Sequence, residues 1–327
     1  MLTDNHGRPL NYMRLAVTDR CNLRCFYCMP EEGIKYLPKK DLLTFDEIIR
    51  IVTIMGGMGI SKVRLTGGEP FVRTDLMDLI RRIVKAEGIH ELHITTNGIL
   101  TAPHIDELSD LGIRSVNLSL DTLDAERFKN ITRRDEFAKT WDTLQQLLAK
   151  NIQVKLNAVV MEGKNIDDIV PMVRLTKDYN VSVRFIEEMP FNGEGTHYPK
   201  LTWTHNKILS YIKQEFPSLV KLPDAPNATA YGYQVPGHKG TLGIIAAFSR
   251  TFCGTCNRIR VTAQGTLKSC LYDDGVLNLK ELIRSGEPDA MIERHLLRAF
   301  SSREKDGFEA ERKRKAIVTE SMSTIGG

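Results

Sequence analysis

Through the first two-thirds of the chain, short apolar runs alternate with longer stretches of helical periodicity. The runs lie at residues 14–18, 62–66, 91–96, 115–120, 153–161 and 181–186, and their β-branched content predicts six strands. The first helix is expected to open at Thr44, where Glu47 three residues on completes a capping box. It carries apolar Ile48, Ile49, Ile51, Val52 and Met55 and should stop at Gly56-Gly57. Further helices are predicted at 75–85, 104–111, 137–149 and 166–179. Repeated βα units imply an α/β protein with a parallel sheet, either open and doubly wound or curled into a partial barrel; periodicity alone does not choose. From about residue 200 the rhythm fades. Residues 222–240 are rich in Pro, Gly and Tyr, as a long loop or hairpin region is. Beyond them come a strand at 241–248, another at 258–262, a turn at Gln264-Gly265 and a helix at 277–284. The expected division is therefore 1–200 and 201–327. The charged segment 303–315 reads as a solvated helix face or mobile tail.

Buried parallel strands are usually near-continuous apolar runs, yet most of these carry a polar or cationic residue. Alternation puts Arg14, Ala16 and Thr18 on one strand face, and likewise groups Arg64 with Thr66, His93 with Thr95 and Asn97, Asn117 with Ser119 and Asp121, and Lys155 with Asn157. Either each cation pairs with a carboxylate or meets solvent, or together they line a cavity for an anion, since an unpaired buried charge costs several kcal/mol, roughly. Arg258 and Arg260 repeat the pattern late in the chain, with Ile259 and Val261 on the opposite face. Paired guanidiniums match phosphate oxygens bidentately; an exposed charged strand edge is the plainer alternative.

The 327 residues are 42% hydrophobic, enough for a large core. A net charge of +4 on 45 basic and 41 acidic residues lacks the excess of a nucleic-acid-binding surface. No apolar run approaches the roughly 18 residues that cross a bilayer, and residues 1–10 read as a surface segment rather than a signal peptide, so a cytoplasmic protein is expected. The six cysteines form two groups, Cys21, Cys25, Cys28 and Cys253, Cys256, Cys270. Disulfides fit poorly with a cytosolic chain. Structural zinc is the stronger alternative, but such sites close with four ligands and each group offers three, unless one site draws on both groups. The Cys-x3-Cys-x2-Cys spacing of the first group, directly after a strand, suits an iron–sulfur cube with one iron left open for a chelating molecule, for which S-adenosylmethionine is the obvious candidate. Tyr27 within that loop can pack on an adenine or shield a cube from water. Gly67-Gly68-Glu69-Pro70 after the second strand allows close backbone approach to a ligand, and its carbonyls can accept from an ammonium group.

With these residues in place, the chain resembles the radical S-adenosylmethionine superfamily, and within it the GTP 3′,8-cyclase (molybdenum cofactor biosynthesis protein A) family. The resemblance rests on Arg14-Leu-Ala-Val-Thr-Asp-Arg-Cys-Asn, Arg64-Leu-Thr-Gly-Gly-Glu-Pro, Thr95-Thr-Asn-Gly, Asn117-Leu-Ser-Leu-Asp, Arg184-Phe-Ile-Glu, Cys253-Gly-Thr-Cys-Asn-Arg-Ile-Arg and the terminal Gly326-Gly327. It implies an incomplete six-unit βα (TIM-like) barrel, residues 1–200, and a C-terminal cluster-binding α+β module, residues 201–327. By the same resemblance, Cys21, Cys25 and Cys28 hold a [4Fe-4S] cluster that binds S-adenosylmethionine, with Tyr27, Gly67, Gly68, Glu69, Ser119 and Met189 contacting that molecule. Cys253, Cys256 and Cys270 hold a second [4Fe-4S] cluster that meets the substrate. GTP is placed against Arg14, Arg64, Thr95, Lys155, Arg258, Ile259 and Arg260, leaving open whether Lys62 or Arg64 touches phosphate. A 5′-deoxyadenosyl radical takes hydrogen from C3′ of the ribose, the carbon radical attacks C8, and reduction and protonation give the 3′,8-cyclised dihydro-GTP. Arg14, Arg258, Arg260 and the Gly326-Gly327 tail are implied to assist catalysis.

Partners implied are an electron donor of flavodoxin or ferredoxin type and, downstream, a cyclic pyranopterin monophosphate synthase, with no nucleic acid or membrane, in a monomer or homodimer. Two rival readings stand beside this one: a radical peptide-modifying enzyme with an auxiliary cluster, and a non-catalytic metal-binding module.

Overall fold

The computed structural model describes residues 1–192, 201–315 and 320–326. The described strands are β1 Tyr12–Ala16, β2 Lys62–Thr66, β3 Glu91–Thr96, β4 Ser115–Ser119, β5 Gln153–Val160, β6 Val181–Glu187, β7 Val220–Lys221, β8 Ala230–Gln234, β9 Thr241–Ile245, β10 Arg258–Val261, β11 Thr266–Lys268 and β12 Leu277–Asn278. They distribute over two compact units, neither continuous in sequence.

The first unit comprises Met1–Asn22, Ile34–Ile94 and Cys253–Gly327. Its strands run in the order β12-β11-β10-β1-β2-β3. β1 lies between β10 and β2 and is parallel to both. β11 and β12 extend that edge antiparallel, through the turn at Gly265 whose φ is +86°. Met13, Leu15, Val63, Leu65, Ile259 and Val261 are completely buried, so one face of the central strands is apolar core. The Phe45–Gly57 helix begins as its sequence requires. Thr44 Oγ1 accepts from Glu47 N (3.2 Å) and Glu47 Oε2 accepts from Thr44 N (2.7 Å), satisfying two otherwise orphaned donors. Its apolar stripe of Ile48, Ile51, Val52 and Met55 is buried.

The second unit comprises Leu23–Gly33 and Thr95–Phe252. Its strands run β4-β5-β6-β9-β8-β7, parallel from β4 to β9 and then antiparallel. The Pro- and Gly-rich stretch thus contains the hairpin strand β8. In this unit two described helices escaped the periodicity reading, as Asp289–Phe300 did in the first. Ala125–Thr132 is capped by Asp124, which accepts from Arg127 N (2.7 Å), and His205–Glu215 by Thr204, which accepts from Lys207 N (3.3 Å). Each is short or polar, so its cap is a clearer signal than its stripe.

The six expected strands all form, two at the expected bounds and the others with ends shifted by at most two residues, and the α/β class holds. The reading of 303–315 as a solvated helix face or mobile tail holds for the helix, with Phe308 and Arg312 exposed, and is corrected at Arg303. Gly307–Arg312 is a helix capped by Asp306, and Arg303 is only 4% exposed because the buried Asp4 carboxylate and several backbone carbonyls receive its guanidinium.

Candidate active site

In the first unit the strand register brings distant arginines into one row. Arg260 on β10 is level with Arg14 on β1, Arg14 with Arg64 on β2, and Arg64 with His93 on β3. Level residues of neighbouring strands project from the same face, here the face opposite the apolar core. Arg64 and Arg260 are both 8% exposed. Burial first, then the like charges of Arg260, Arg64 and Arg258, hold the Arg14 guanidinium well below its usual basicity, while Tyr12 opposes the shift. Burial and Arg258 bring Arg260 down to about 10. The Arg64 guanidinium lies 5.4 Å from the Tyr12 ring centre, and its buried Nε has no hydrogen-bond partner among the described residues. A row of like charges in a low-dielectric setting is unfavourable alone and favourable around a polyanion. Lys62 stands apart from it, with Nζ donating to Glu91 Oε2 at 2.7 Å. Of the two cations left open by the sequence, Arg64 belongs to the row.

Beside this row sits the second cysteine group. Cys253 begins a short turn in which Cys256 N donates to Cys253 O (3.2 Å), and Asp273 accepts from the backbone of Ser269 (2.7 Å) and Cys270 (2.8 Å). Burial pushes the Cys256 thiol up, but the adjacent Arg258 and Arg303 guanidiniums outweigh it and bring the group down to about 6. Arg258 Nη2 is 3.4 Å from Cys256 Sγ. Burial pushes Cys270 up to about 11, against the pull of the Tyr272 N–H. None of the six cysteines is in a disulfide, and each is half-buried. Among the described residues no three Cys, His, Asp or Glu side chains converge as ligands of one ion do. An iron–sulfur cube takes each thiolate on its own iron, and a cationic, partly covered triple with one thiol already biased to thiolate fits that demand.

The chain's last described residue reaches the same row. Met322–Ile325 forms one helical turn, and Gly326 ends it with φ +76°. Arg260 Nη1 donates to Gly326 O at 2.7 Å. A Cβ on Gly326 would lie 2.7 Å from Thr66 Oγ1, so a side chain is excluded both by conformation and by space. Gly327 lies outside the described residues.

The first cysteine loop divides between the units: Cys21 belongs to the first, Cys25 and Cys28 to the second. On the first side, Gly68 N donates to Thr18 O (3.0 Å) and Glu69 N to Arg20 O (2.8 Å), clasping the turn after β2 to the chain entering Cys21. Gly67 has φ +132°, and added Cβ atoms would stand 2.1 Å from Thr18 O at Gly67 and 2.2 Å from Arg20 O at Gly68. The buried Glu69 carboxylate accepts from Phe71 N (3.1 Å), fixing that turn. On the second side, Cys28 N and Met29 N both donate to Cys25 O (2.9 and 3.0 Å). Tyr27 OH donates to Asp121 Oδ2 (2.8 Å), whose other oxygen accepts from Val159 N (2.8 Å). Burial pushes the Asp121 carboxyl up to about 6 and, with Asp121 beside it, the Tyr27 phenol well above its usual range.

Within the second unit, Asn117 is level with Lys155, and Ser119 with Asn157 and Arg184. Buried oxygens of Thr95, Asn117 and Asn157 lack hydrogen-bond partners among the described residues. Met189 is half-buried in the segment after β6. The side chain of Ile259, unlike its neighbours, is wholly buried in the core face. Several contributors escaped the sequence reading. Arg184 was findable by the same alternation along its strand. Asp121 had been placed on a strand face, but not as the Tyr27 acceptor. Glu187, quoted as the end of Arg184-Phe-Ile-Glu but given no role, is fully buried and accepts from His205 N (2.7 Å) and from Phe248 N and Ser249 N (3.0 and 2.8 Å).

Residues 15–176 match the radical SAM superfamily, and residues 181–309 match Molybdenum Cofactor Synthesis C. The chain is 39% identical over 318 residues to GTP 3′,8-cyclase of Clostridium perfringens, covering 95% of this chain and 96% of that protein. This chain belongs to the GTP 3′,8-cyclase family. It is also 42% identical over 286 residues to molybdenum cofactor biosynthesis protein 1 of Mus musculus, covering 87% of this chain and 45% of the mouse protein. The chain spans about half the length of several curated relatives it matches. Among solved structures it is similar to Streptococcus suis SuiB bound to S-adenosylmethionine, with TM-score 0.61 and 13% identity over 88% of this chain and 68% of that one. That likeness is one of fold and agrees with the α/β class. Members of the family bind S-adenosylmethionine at a [4Fe-4S] cluster, and those with the second region carry a second cluster. Among the described residues no helix is long and apolar enough to cross a membrane.

Proposed function

We propose that this chain converts GTP to (8S)-3′,8-cyclo-7,8-dihydro-GTP, the first step of molybdenum cofactor biosynthesis, in the cytoplasm. The observation that carries the reading is the row Arg260, Arg14, Arg64, with Gly326 hydrogen-bonded to its first member and a three-cysteine site at its edge. A triphosphate fits this row as few ligands do. It offers several negative oxygens to several forked donors, and it relieves a repulsion that the sheet otherwise stores.

Cys21, Cys25 and Cys28 would hold one cluster, and Cys253, Cys256 and Cys270 the other. Held by Cys21, Cys25 and Cys28, a reduced cluster would supply the electron for cleavage of S-adenosylmethionine, the source of the hydrogen-abstracting radical. The protein's own contribution is placement. Gly67 and Gly68 bring backbone close to Cys21, leaving peptide groups of the turn for the methionine end, and Tyr27, Ser119 and Met189 are assigned to the same molecule. Arg14, Arg64, Arg258 and Arg260 hold the phosphates, with Thr95 and Lys155 as further contacts, so that the ribose is presented in one orientation and water is kept from it. The tail is assigned to this site on Gly326, where neither the backbone nor the space beside Thr66 admits a side chain, and Gly327, outside the described residues, is assigned with it by the family resemblance. The division into 1–200 and 201–327 is retained as a proposal about modules. A flavodoxin- or ferredoxin-type donor and a downstream cyclic pyranopterin monophosphate synthase complete the reading.

The test is an anaerobic incubation with GTP, S-adenosylmethionine and dithionite. Stoichiometric 5′-deoxyadenosine and a 3′,8-cyclised dihydro-GTP are expected. Cleavage of S-adenosylmethionine that GTP does not affect, with no cyclised nucleotide, would overturn the substrate assignment.

A further inference from the structure

One buried carboxylate in the first unit serves two arginines. Asp4 Oδ2 accepts from Arg8 Nε (2.6 Å) and from Arg303 Nη1 (2.8 Å), and Asp4 Oδ1 accepts from Arg8 N (2.9 Å). All three side chains are almost inaccessible, at 7%, 5% and 4% residue exposure for Asp4, Arg8 and Arg303. Arg8 divides its remaining fork between Glu304 O (Nη2, 2.8 Å), Lys305 O (Nη1, 2.7 Å) and the second cysteine group, whereas Arg303 directs its fork at that group. Arg8 Nη1 donates to Cys253 O (3.1 Å). Arg303 Nη1 donates to Cys256 O (3.3 Å), and Arg303 Nε and Nη2 to Ser269 O (3.2 and 3.0 Å), the carbonyl that precedes Cys270. Arg303 Nη2 also donates to Arg258 O (3.1 Å) and lies 3.8 Å from Cys256 Sγ.

Every cysteine of the group is therefore held through its own carbonyl or the one before it. The two loops that supply them, around 253–256 and at 270, lie at the open end of the β10–β11 hairpin, whose register pairs Arg260 with Lys268; beyond that pair the Arg303 guanidinium spans them. Its only acidic partner among the described residues is Asp4, so the carboxylate neutralises one cation of the pair and the other stays available to thiolate sulfur. A hydrophobic brace would hold the loops equally well. A guanidinium adds a positive charge and an N–H next to Cys256 sulfur, and hydrogen bonds to sulfur and local charge are what set a cluster's potential.

We propose that Asp4, Arg8 and Arg303 form a preformed clamp on the second cysteine group, and that Arg303 is a positioning residue that both spaces the thiols and raises the reduction potential of the cluster they bind. This rests on the proposed reading of that group as an iron–sulfur site. The clamp acts before iron arrives, because its contacts are to peptide carbonyls. The tuning acts once thiolates are ligated, because it needs charge on sulfur.

The experiment uses the full chain carrying Cys21→Ser, Cys25→Ser and Cys28→Ser, so that iron reports the second site alone. Reconstituted without air, this parent should hold about four irons per chain. In it, Arg303→Lys keeps the charge and loses the fork; it should load less iron than the parent but more than Arg303→Gln, and the loaded fraction should show a lower midpoint potential. Arg303→Gln and Asp4→Asn should load less than half the parent's iron. Thermal melts of the iron-free proteins separate loading defects from failure to fold. Should Arg303→Gln not fold, Arg303→Lys and Asp4→Asn decide the matter alone. Unchanged iron and unchanged midpoint in folded variants would overturn the clamp. A parent that binds no iron would instead overturn the reading of the group as a cluster site, and the tuning role with it.

Discussion

Gly68→Ala is a one-atom perturbation whose effect can be worked from the structure. The added Cβ would stand 2.2 Å from Arg20 O and 2.5 Å from Arg20 C, where ordinary contacts begin near 3.4 Å. Something must move by about 1.2 Å, and everything in the way is backbone, so no side-chain rotation relieves it. Either the turn after β2 lifts off, breaking the Glu69 N–Arg20 O hydrogen bond, or the segment before Cys21 is displaced. Overpacking of this kind costs about 1–3 kcal/mol and the lost bond about 1 kcal/mol more. A destabilisation of about 2–4 kcal/mol is expected in urea denaturation of the iron-free protein, with unchanged slope. In the loaded protein, 5′-deoxyadenosine release should fall at least tenfold, because Cys21 and the backbone groups of the turn shift together. A Gly68→Ala protein within about 0.5 kcal/mol of the parent and fully active in S-adenosylmethionine cleavage would refute the close-approach reasoning.

Arg64→Met removes a buried cation among like charges, so the stability of the ligand-free protein should not fall, while GTP affinity in a titration should drop about 10- to 150-fold, the worth of a charged hydrogen bond to phosphate. Equal affinity would remove Arg64 from the phosphate site. Truncation after Ile325 deletes the carbonyl that Arg260 Nη1 donates to, and product formation should slow more than GTP binding weakens; a full-rate truncated enzyme would end the role of the tail. Asp121 ionises near 3.8 when unfolded and near 6 when folded, so between those values the native state holds the extra proton and stability falls as pH rises. Across that window the parent should lose about 3 kcal/mol relative to Asp121→Asn, measured by denaturation at a series of pH values, and a flat difference would refute the burial of that carboxyl.

Much of the site was written locally. The side-chain period of a strand is a property of the backbone, so Arg14, Arg64, Lys155 and Arg260 could be assigned to polar faces without knowing any neighbour. The capping box at Thr44 and the close-approach glycines at Gly67 and Gly68 are equally local, since they satisfy or strain backbone groups a few residues away. Cysteine spacing likewise restricts which group the thiols can hold. The choice between Lys62 and Arg64 was beyond its reach, because both lie on one strand face and only the carboxylate of Glu91 on the neighbouring strand tells them apart.

Strand partnership was decided by tertiary structure alone. β10 could have paired anywhere by its own propensity; it lies parallel beside β1 because Ile259 and Val261 bury against the same core as Met13 and Leu15, and that pairing is what makes Arg260 level with Arg14. Arg303 makes the same point from the opposite direction. Its surroundings in sequence are charged and suggest solvent, yet a carboxylate almost three hundred positions earlier receives it, at Asp4. Local chemistry determines which face a residue is offered to, whereas the non-local search for burial and for charge partners determines what it meets there.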